Sequence, residues 1–562
     1  MRRHNHFTVL VFIFVMLFSS YVFPSTNTPQ PNLEHRFAKG LTNYEPLSFA
    51  LMQRAGNDPA AEDGLLGQAL KASPAFPPVY FRISGQSLKD MPSGLFTWSY
   101  YFIEGFKAYG RNWWWAISLS GLIAFALIAS FYIAVAVTVL LRLPKELPLL
   151  KHDIAEDKKH LFLLFLLVPA AFFGPGFFLA TVLLFLGLYF SRKNRVLVYL
   201  ALAFFAAVPF TMYWLHGVYS SSTPELRAVV AVNEGMDNSL ALQALPGKKD
   251  FPGLFSYALA LKREGRLPEA INAYKMALAE KEDPRARVNL ANCYLLSGDQ
   301  EAARGLYEQA IAARPSAEAF FDLAQLYRGR FNFSKGDELY RQAAKLDPDR
   351  VSDFINRSES LPGENLLMDQ TLGMGDFLPV MMRRGKSMLF PFGVSGGFMI
   401  ALSALWIIIF FAYIRKGRLR AFRCTRCSRI LCSRCEHELY WGRMCKDCYQ
   451  SLVKLEALDP KERVSRLLRI HGYQLRRAAL IKALGFAPPG IAHIYGGNIL
   501  WGALLLWGFS FFAIIAAANP LFGTGLSTLN HGWLSAVSIA GAILLYIISF
   551  AGIRRRQGKG WL

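Results

Sequence analysis

The sequence predicts an all-α chain divided between two media. It should combine helices that cross a membrane, a soluble stack of repeated helix pairs, and a small cysteine-rich module. Three observations carry this expectation. Of 562 residues, 53% are hydrophobic and 18% charged, against roughly 25% charged in an ordinary globular protein, and apolar runs of span length recur along the chain. Small residues and tyrosines recur every 33 positions between residues 250 and 350. Six of the seven cysteines fall between Cys424 and Cys448. This composition excludes a disordered chain, a small disulfide scaffold and a simple cytosolic enzyme. The 62 Lys+Arg against 40 Asp+Glu, a net +22, fit either a nucleic-acid binder or a multi-span membrane protein with basic cytoplasmic loops.

Residues 1–23 read as a signal anchor or signal peptide. Arg2 and Arg3 precede the apolar run Phe7–Phe23, and its exit, Tyr-Val-Phe-Pro, has no small-residue cleavage site, which favours an uncleaved anchor. Either form places residues 24–112 outside the cytoplasm. Trp113, Trp114 and Trp115 then open a span, Trp113–Leu141, with tryptophans at the interface where they belong. The membrane domain 113–215 closes with the span Val196–Leu215. Between these lies the apolar stretch Leu161–Phe190, interrupted by Gly174-Pro175-Gly176. It could be one kinked span or a hairpin. Lys145, Lys151, Lys158 and Lys159 precede it, and Arg192, Lys193 and Arg195 follow it. Basic residues mark the cytoplasmic side, so both ends belong inside and a hairpin is predicted, re-entrant if its short arms stop mid-membrane.

Residues 216–391 then face outside. The span Phe392–Ile414 returns the chain to Arg415, Lys416, Arg418, Arg420 and Arg423 inside, and a C-terminal hairpin, 487–562, ends in Arg554, Arg555 and Arg556, again inside. Its two spans are about His493–Ala518 and Trp533–Gly552. Arg383, Arg384 and Lys386 oppose this order but are outnumbered on the other flank. With this assignment the two outside segments, 24–112 and 216–391, carry 30 basic and 30 acidic residues, so the whole excess of 22 lies inside.

Within 216–391 the 33-residue period is explicit. Gly265 pairs with Gly298; Ala270 and Ala303 with Gly336; Tyr274 and Tyr307 with Tyr340; Ala277 and Ala310 with Ala343; Pro315 and Pro348 close two units. Small residues let paired helices approach, tyrosines fill the space between them, and prolines end each second helix. This pattern resembles the tetratricopeptide repeat family, through Leu290, Ala291, Tyr294, Gly298, Ala303, Tyr307, Ala310 and Pro315 of "NLANCYLLSGDQEAARGLYEQAIAARP". The third unit departs from it, with Phe331 at the turn glycine and Gly336 at an alanine. The resemblance covers about 100 residues. It implies a solenoid of antiparallel helix pairs whose concave face binds a peptide or protein partner. The repeat residues themselves read as packing positions, and 217–249 and 349–372 as caps. A weaker echo, Ala69, Leu70 and Pro74, makes 24–112 a degenerate helical repeat.

The cysteines read C-x2-C-x4-C-x2-C-x9-C-x2-C at Cys424, Cys427, Cys432, Cys435, Cys445 and Cys448. Each C-x2-C pair turns two thiolates onto one ion, and two pairs complete a tetrahedral zinc site. The run resembles short treble-clef, ribbon or cross-braced zinc modules. One closed site from Cys424, Cys427, Cys445 and Cys448 is the simplest arrangement. A second ion would need Cys432, Cys435 and a further ligand, for which His437 is the candidate; alternatively the middle pair joins the first site. Four thiolates leave no open position for water, so a structural role for one or two zinc ions is favoured over catalysis. A redox switch is the alternative, since Arg426, Arg429, Arg434 and Arg443 would lower thiol pKa values; ferredoxin-type spacings fit less well.

Residues 415–486 form this cytoplasmic module with a basic helix. Asp459-Pro460-Lys461-Glu462 is a helix start, and the helix should run to about Leu484. Its Arg463, Arg466, Arg469, Arg476, Arg477 and Lys482 make a solvated basic face or a contact for anionic headgroups; no aromatic-basic reading motif accompanies them, so nucleic acid is not expected. The following Pro489, Gly490, His493, Tyr495 and Gly497 resemble the opening of small bacterial two-helix membrane hairpins, with Ala492 in place of one glycine. His493 reads as an interfacial polar residue rather than a ligand.

The sequence lacks a Walker loop, a nucleotide-binding glycine fingerprint, a nucleophile elbow and an HExxH motif. The expectation is a non-enzymatic, multi-pass protein of the bacterial inner membrane, a scaffold or assembly factor of the cell envelope. It would bind a protein partner through periplasmic repeats, contact membrane lipids, and carry structural zinc on the cytoplasmic side. A transmembrane sensor linking repeats to thiols is the first alternative, a transporter subunit the second.

Overall fold

The computed structural model describes residues 33–90, 92–156, 167–172, 175–221, 223–359, 366–383, parts of 401–412, 421–424, 426–432, 444–453, 459–519 and 532–558. The N-terminal run Phe7–Phe23, most of Phe392–Ile414, Cys435 and His437 lie outside these residues. The described chain is helical apart from one small hairpin, as the sequence predicts.

A first helical unit comprises α1 (Leu33–Ala38), α2 (Glu45–Asn57), α3 (Glu62–Ala72), α4 (Pro77–Ser87) and α5 (Leu95–Arg111). Leu66, Ala69, Phe76 and Val79 fill its core together with Tyr109 and Trp115. The next helix, α6 (Trp113–Glu156), runs on for 44 residues through Pro144 and Pro148, about 65 Å at 1.5 Å per residue. The predicted stop at Leu141 is therefore exceeded. α7 (Leu167–Phe172) and α8 (Pro175–Gly187) are short, and α9 (Arg192–Ser220) bends by 40° at Pro209, where the missing N–H breaks the helix ladder.

Helix pairs follow. α10 (Pro224–Asn233) and α11 (Ser239–Ala244) precede α12 (Phe251–Arg263) with α13 (Leu267–Glu280), α14 (Pro284–Leu296) with α15 (Gln300–Ala313), and α16 (Ala317–Gly329) with α17 (Phe333–Leu346); α18 (Pro348–Ser358) packs against α17. The turns between paired helices need left-handed backbone. Gly265 and Gly298 supply it at φ +78° and +91°, and Phe331, at the third equivalent position, adopts it at +61°. Side chains cap successive helices: Asp283, Asp299, Ser316, Asn332 and Asp347 each accept a hydrogen bond from an N–H of the first turn. Tyr274 and Tyr307 are fully buried between helices, among the period's alanines. α10 packs against α12 and α18 against α17, at the two ends of the stack where caps are expected.

After α19 (Met374–Arg383), β1 (Ala421–Arg423) pairs antiparallel with β2 (Ile430–Cys432), Phe422 opposite Leu431. Then come α20 (Lys446–Leu452), α21 (Pro460–Leu484), α22 (Ile491–Gly496), α23 (Ile499–Ala518) and α24 (Gly532–Gly558). The basic helix α21 has its predicted length, although the side chain of Asp459 makes no capping bond. Three described helices, α6, α23 and α24, are long and apolar enough to cross a membrane, and the bent α9 makes a fourth if counted as one span.

Contacts at the two ends of α6 order the whole chain. At its start, the Trp113 N–H donates to Glu234 of the repeat segment (2.7 Å), and Asn112 donates to Glu45 of the first unit (2.5 Å). That first unit also docks directly on the repeats, through Asn43 N–H to Gly235 O (3.0 Å) and Lys39 to Glu264 (3.0 Å). Trp533, at the start of α24, stacks on Phe81 at the same end. At the far end, Arg423 Nε donates to Lys145 O (2.9 Å) beside the proline pair, and Ala421 N–H donates to Asp153 (3.1 Å). Asn194 at the head of α9 donates to Gly497 O there (2.9 Å). The repeats and the cysteine module thus sit at opposite ends of one helix.

The glycine-rich opening of the C-terminal hairpin is structural throughout. Gly490 and Gly497 are left-handed, at φ +95° and +99°. His493 is buried, with Nε2 3.1 Å from Ser549 O, and the Lys145 ammonium lies 3.4 Å from the centre of the Tyr495 ring. Ala492 packs on Ile481 and Ile553, where a glycine would leave a gap.

Candidate functional site

Two sites emerge, one at each end of α6. The first is formed by cysteines. β1 and β2 turn through Cys424 and Cys427, and α20 begins at Cys445 and Cys448. The four Sγ atoms lie within 4.8 Å of one another. Cys427 and Cys445 are 3.7 Å apart; a tetrahedron with metal–sulfur bonds of about 2.3 Å has edges of about 3.8 Å. Ser428, left-handed at φ +63°, closes the first knuckle, while the Cys445 and Cys448 N–H groups donate to the sulfurs of Cys424 and Cys445, both at 3.4 Å. The site is electrostatically incomplete as bare thiols. Burial opposes ionisation of Cys424, but N–H groups of Cys427, Cys445 and Arg426 outweigh it and draw its pKa down to about 7. Burial raises Cys445 to about 11 and Cys448 further, with the neighbouring sulfurs adding to the effect. A cation at the centre would stabilise all four thiolates together, so the residues present fit a metal ion.

The structure therefore brings together four of the predicted ligands. Cys432 is buried on β2 but is not part of this cluster, and Cys435 and His437 lie outside the described residues. Of the arginines, Arg429 pairs with Asp447 at 2.9 Å. Ile470 of α21 packs against Cys424, Cys445 and Cys448, and Arg466 reaches Asp447 at 3.2 Å, so the basic helix is bound to the module. Cys293 stands apart, buried in the repeats, its thiol pushed up to about 12 by burial.

The second site was expected as a bare repeat surface. Instead, the chain lays its own residues 366–373 along the face formed by the first helices of the pairs. Met368 N–H donates to Asp322 (2.8 Å), and Asn292 donates to Met368 O (3.2 Å). Gln370 N–H donates to Asn289 Oδ1 (2.9 Å), while Asn289 Nδ2 donates back to Gln370 O (2.9 Å). Leu372 N–H donates to Asn233 (2.8 Å). Alternate residues are bonded, as in a β-strand, but here the partner is a row of helix side chains. Asp369, on the intervening position, pairs with Lys262 and, at 2.9 Å, with Arg263. Burial works against this carboxylate, yet the two cations hold its pKa below the ordinary value. The repeat tyrosine Tyr307 takes part as well, donating to Asn292 Oδ1 at 2.5 Å. It orients the amide that holds Met368, a role beyond packing.

The sequence reading missed Asn233, Lys262, Arg263, Asn289, Asn292 and Asp322, and took 349–372 entirely as a cap. A signal was present: Ser256, Asn289 and Asp322 are themselves 33 apart, a polar row at helical positions that packing alone does not require.

Residues 261–327 and 317–350 each match a tetratricopeptide repeat family model. This part of the chain is a tetratricopeptide-repeat domain, a fold of protein–protein interaction. Among solved structures, a thermophilic tetratricopeptide-repeat protein of Thermus thermophilus is similar, at 17% identity over 30% of this chain and 96% of that one, with a TM-score of 0.20. No curated protein matches the chain.

Proposed function

We propose that this chain is a non-enzymatic scaffold or assembly protein of the bacterial inner membrane. It recruits a protein partner through repeats on the periplasmic side and is braced on the cytoplasmic side by a structural zinc site. The repeat domain, with a face that holds an extended peptide, is the observation that carries the reading. Contacts and charge support the topology. The first unit and the repeats touch, so they share a side; α6 leaves that side and α9 returns to it. The stretch between must then add no net crossing. α8, at 13 residues, spans about 20 Å, short of the roughly 30 Å hydrocarbon core. Its start is fixed at Gly176, where a side chain would overlap Tyr132. Tyr132 is ten residues, about 15 Å, from Arg142. A re-entrant hairpin opening on the basic side accounts for these distances. The basic flanks, the cysteine module and α21 then face the cytoplasm, with Arg463, Arg469 and Arg476 available to anionic headgroups.

Zinc is favoured over an iron–sulfur cluster because four sulfurs within 4.8 Å of one another fit around one tetrahedral ion and the regular C-x2-C pairs match zinc modules. Capture tests the main reading: full-length protein, cross-linked in membranes, should retain a defined envelope protein, and substitutions along the first-helix face should release it. Capture of no envelope protein, with surface assemblies intact in cells lacking the chain, would refute it. The sensor alternative draws on α6, which joins the two sites; it requires partner binding to alter metal or thiol reactivity.

A further inference from the structure

We infer that the first-helix face is a site for an extended peptide bearing an acidic residue between two apolar ones, that Met368–Leu372 is its tethered resident, and that a partner strand of the same chemistry binds by displacing it. This deepens the partner reading above and rests on it.

The contacts fall on features that another chain can supply. Asn289 and Asn292 with Asp322 and Asn233 hold main-chain N–H and C=O groups of residues 368, 370 and 372, and such bonds accept any sequence in extended form. Selection comes from the side chains between them. Lys262 and Arg263 demand an acid, met here by Asp369. Met368 enters a pocket of Ala317, Phe321, Ala343 and Val351, and Leu372 joins the cluster of Phe377 and Met381. A replacing strand would restore the same hydrogen bonds and ion pair, so exchange need not leave buried polar groups unpaired.

A replacing strand must refill the pockets of Met368 and Leu372, but part of the repeat core is independent of the segment. The core between α14, α15 and α16, built on Val288, Ala291, Ala303, Tyr307, Ala310 and Leu323, contains none of its residues. What protects the site is the tether. A short intramolecular connection gives an effective concentration of roughly 1 mM. A free peptide with identical contacts, supplied at about 10 µM, is therefore outcompeted about 100-fold. A partner must bring additional contacts or a high local concentration of its own.

The test uses full-length protein in detergent and a fluorescent peptide of residues 364–374, followed by anisotropy. Wild type should bind it more weakly than the Asp369→Lys variant, whose own segment is repelled, by about 100-fold for a peptide whose Kd for the open site is about 10 µM. Adding Lys262→Glu with Arg263→Glu to that variant should abolish the binding, and a peptide carrying lysine at the acidic position should bind neither wild type nor the Asp369→Lys variant. In parallel, hydrogen exchange of the wild type should show the amides of Met368, Gln370 and Leu372 opening before those of α14 and α16. A folded Asp369→Lys protein that ignores the peptide overturns the inference. So does exchange of these amides only together with α14 and α16, which decides the matter even if the variant fails to fold. The two readings separate cleanly: peptide binding without capture of an envelope protein sinks the partner reading alone, and capture without peptide binding sinks this one.

Discussion

Phe331 occupies a position where its equivalents are glycines, and it is 82% exposed. A side chain in the left-handed region costs roughly 1–2 kcal/mol, with no burial to offset it here. Phe331→Gly should therefore stabilise the repeats by about 1 kcal/mol, read as a higher melting temperature of the detergent-solubilised protein; a lower one would show that its edge contact with Phe333 outweighs the strain. Glu45 poses the opposite case. Burial raises its pKa to about 7 despite the Asn112 amide, and Glu234, nearby and also buried, is raised as well. A carboxyl whose folded pKa exceeds its unfolded one favours folding while protonated. Stability should thus fall as pH rises from about 4.5 to about 7, by roughly 3 kcal/mol for Glu45 if the whole shift is realised. Glu45→Gln should flatten that part of the melting-temperature profile, and an unchanged slope would exclude the assignment. Tyr307→Phe removes the donor that orients Asn292, at a cost of about 1 kcal/mol, and should speed exchange of the segment's amides more than it lowers the melting temperature.

At the scale of elements, the cysteine module depends on two short pieces of regular structure, the β1–β2 hairpin and the start of α20, brought together from separate parts of the sequence. Serine at any of Cys424, Cys427, Cys445 or Cys448 should release the metal, measured as zinc per chain, and should loosen α21, whose Ile470 packs on the cluster; retention of full zinc by Cys427→Ser would exclude this ligand set. Spacing made each C-x2-C pair a knuckle but left open which pairs share an ion; that the first and last converge is seen only in the fold. Helix periods, the repeat and the start of α21 were readable for similar reasons: each is a local rule of spacing or turn chemistry. Two things were not. The run through Pro144 and Pro148 overrides the local rule that proline ends a helix, at the place where Arg423, from a distant part of the chain, bonds the carbonyl of Lys145. The peptide on the repeats depends on a segment arriving 76 residues after Asn292 and 81 after Asn289, the asparagines that hold it. Neither bond leaves a mark in any short window of sequence.

At the scale of the molecule, the proposed sidedness rests on which ends of α6 the other units touch. Reporter fusions after Leu215 and Ile414 should give opposite readings, external for the first and cytoplasmic for the second. A cytoplasmic reading after Leu215 would place the repeats inside together with the first unit that touches them, inverting the whole arrangement. Because α6 is bonded to the repeat segment at Trp113 and to the cysteine module at Lys145 and Asp153, displacement of either unit loads the other through one helix. Cysteine alkylation rates measured with and without captured partner would detect such coupling.

The order of the groove and its resident along the chain also sets a timetable. The ribosome completes the last helix pair at Leu346 and reaches Met368 only 22 residues later, a few seconds at ordinary elongation rates. A newborn repeat domain is therefore vacant only briefly before its own strand arrives. A partner made or secreted alongside it has a short opening during synthesis, whereas one encountering the finished protein must evict an occupant already in place.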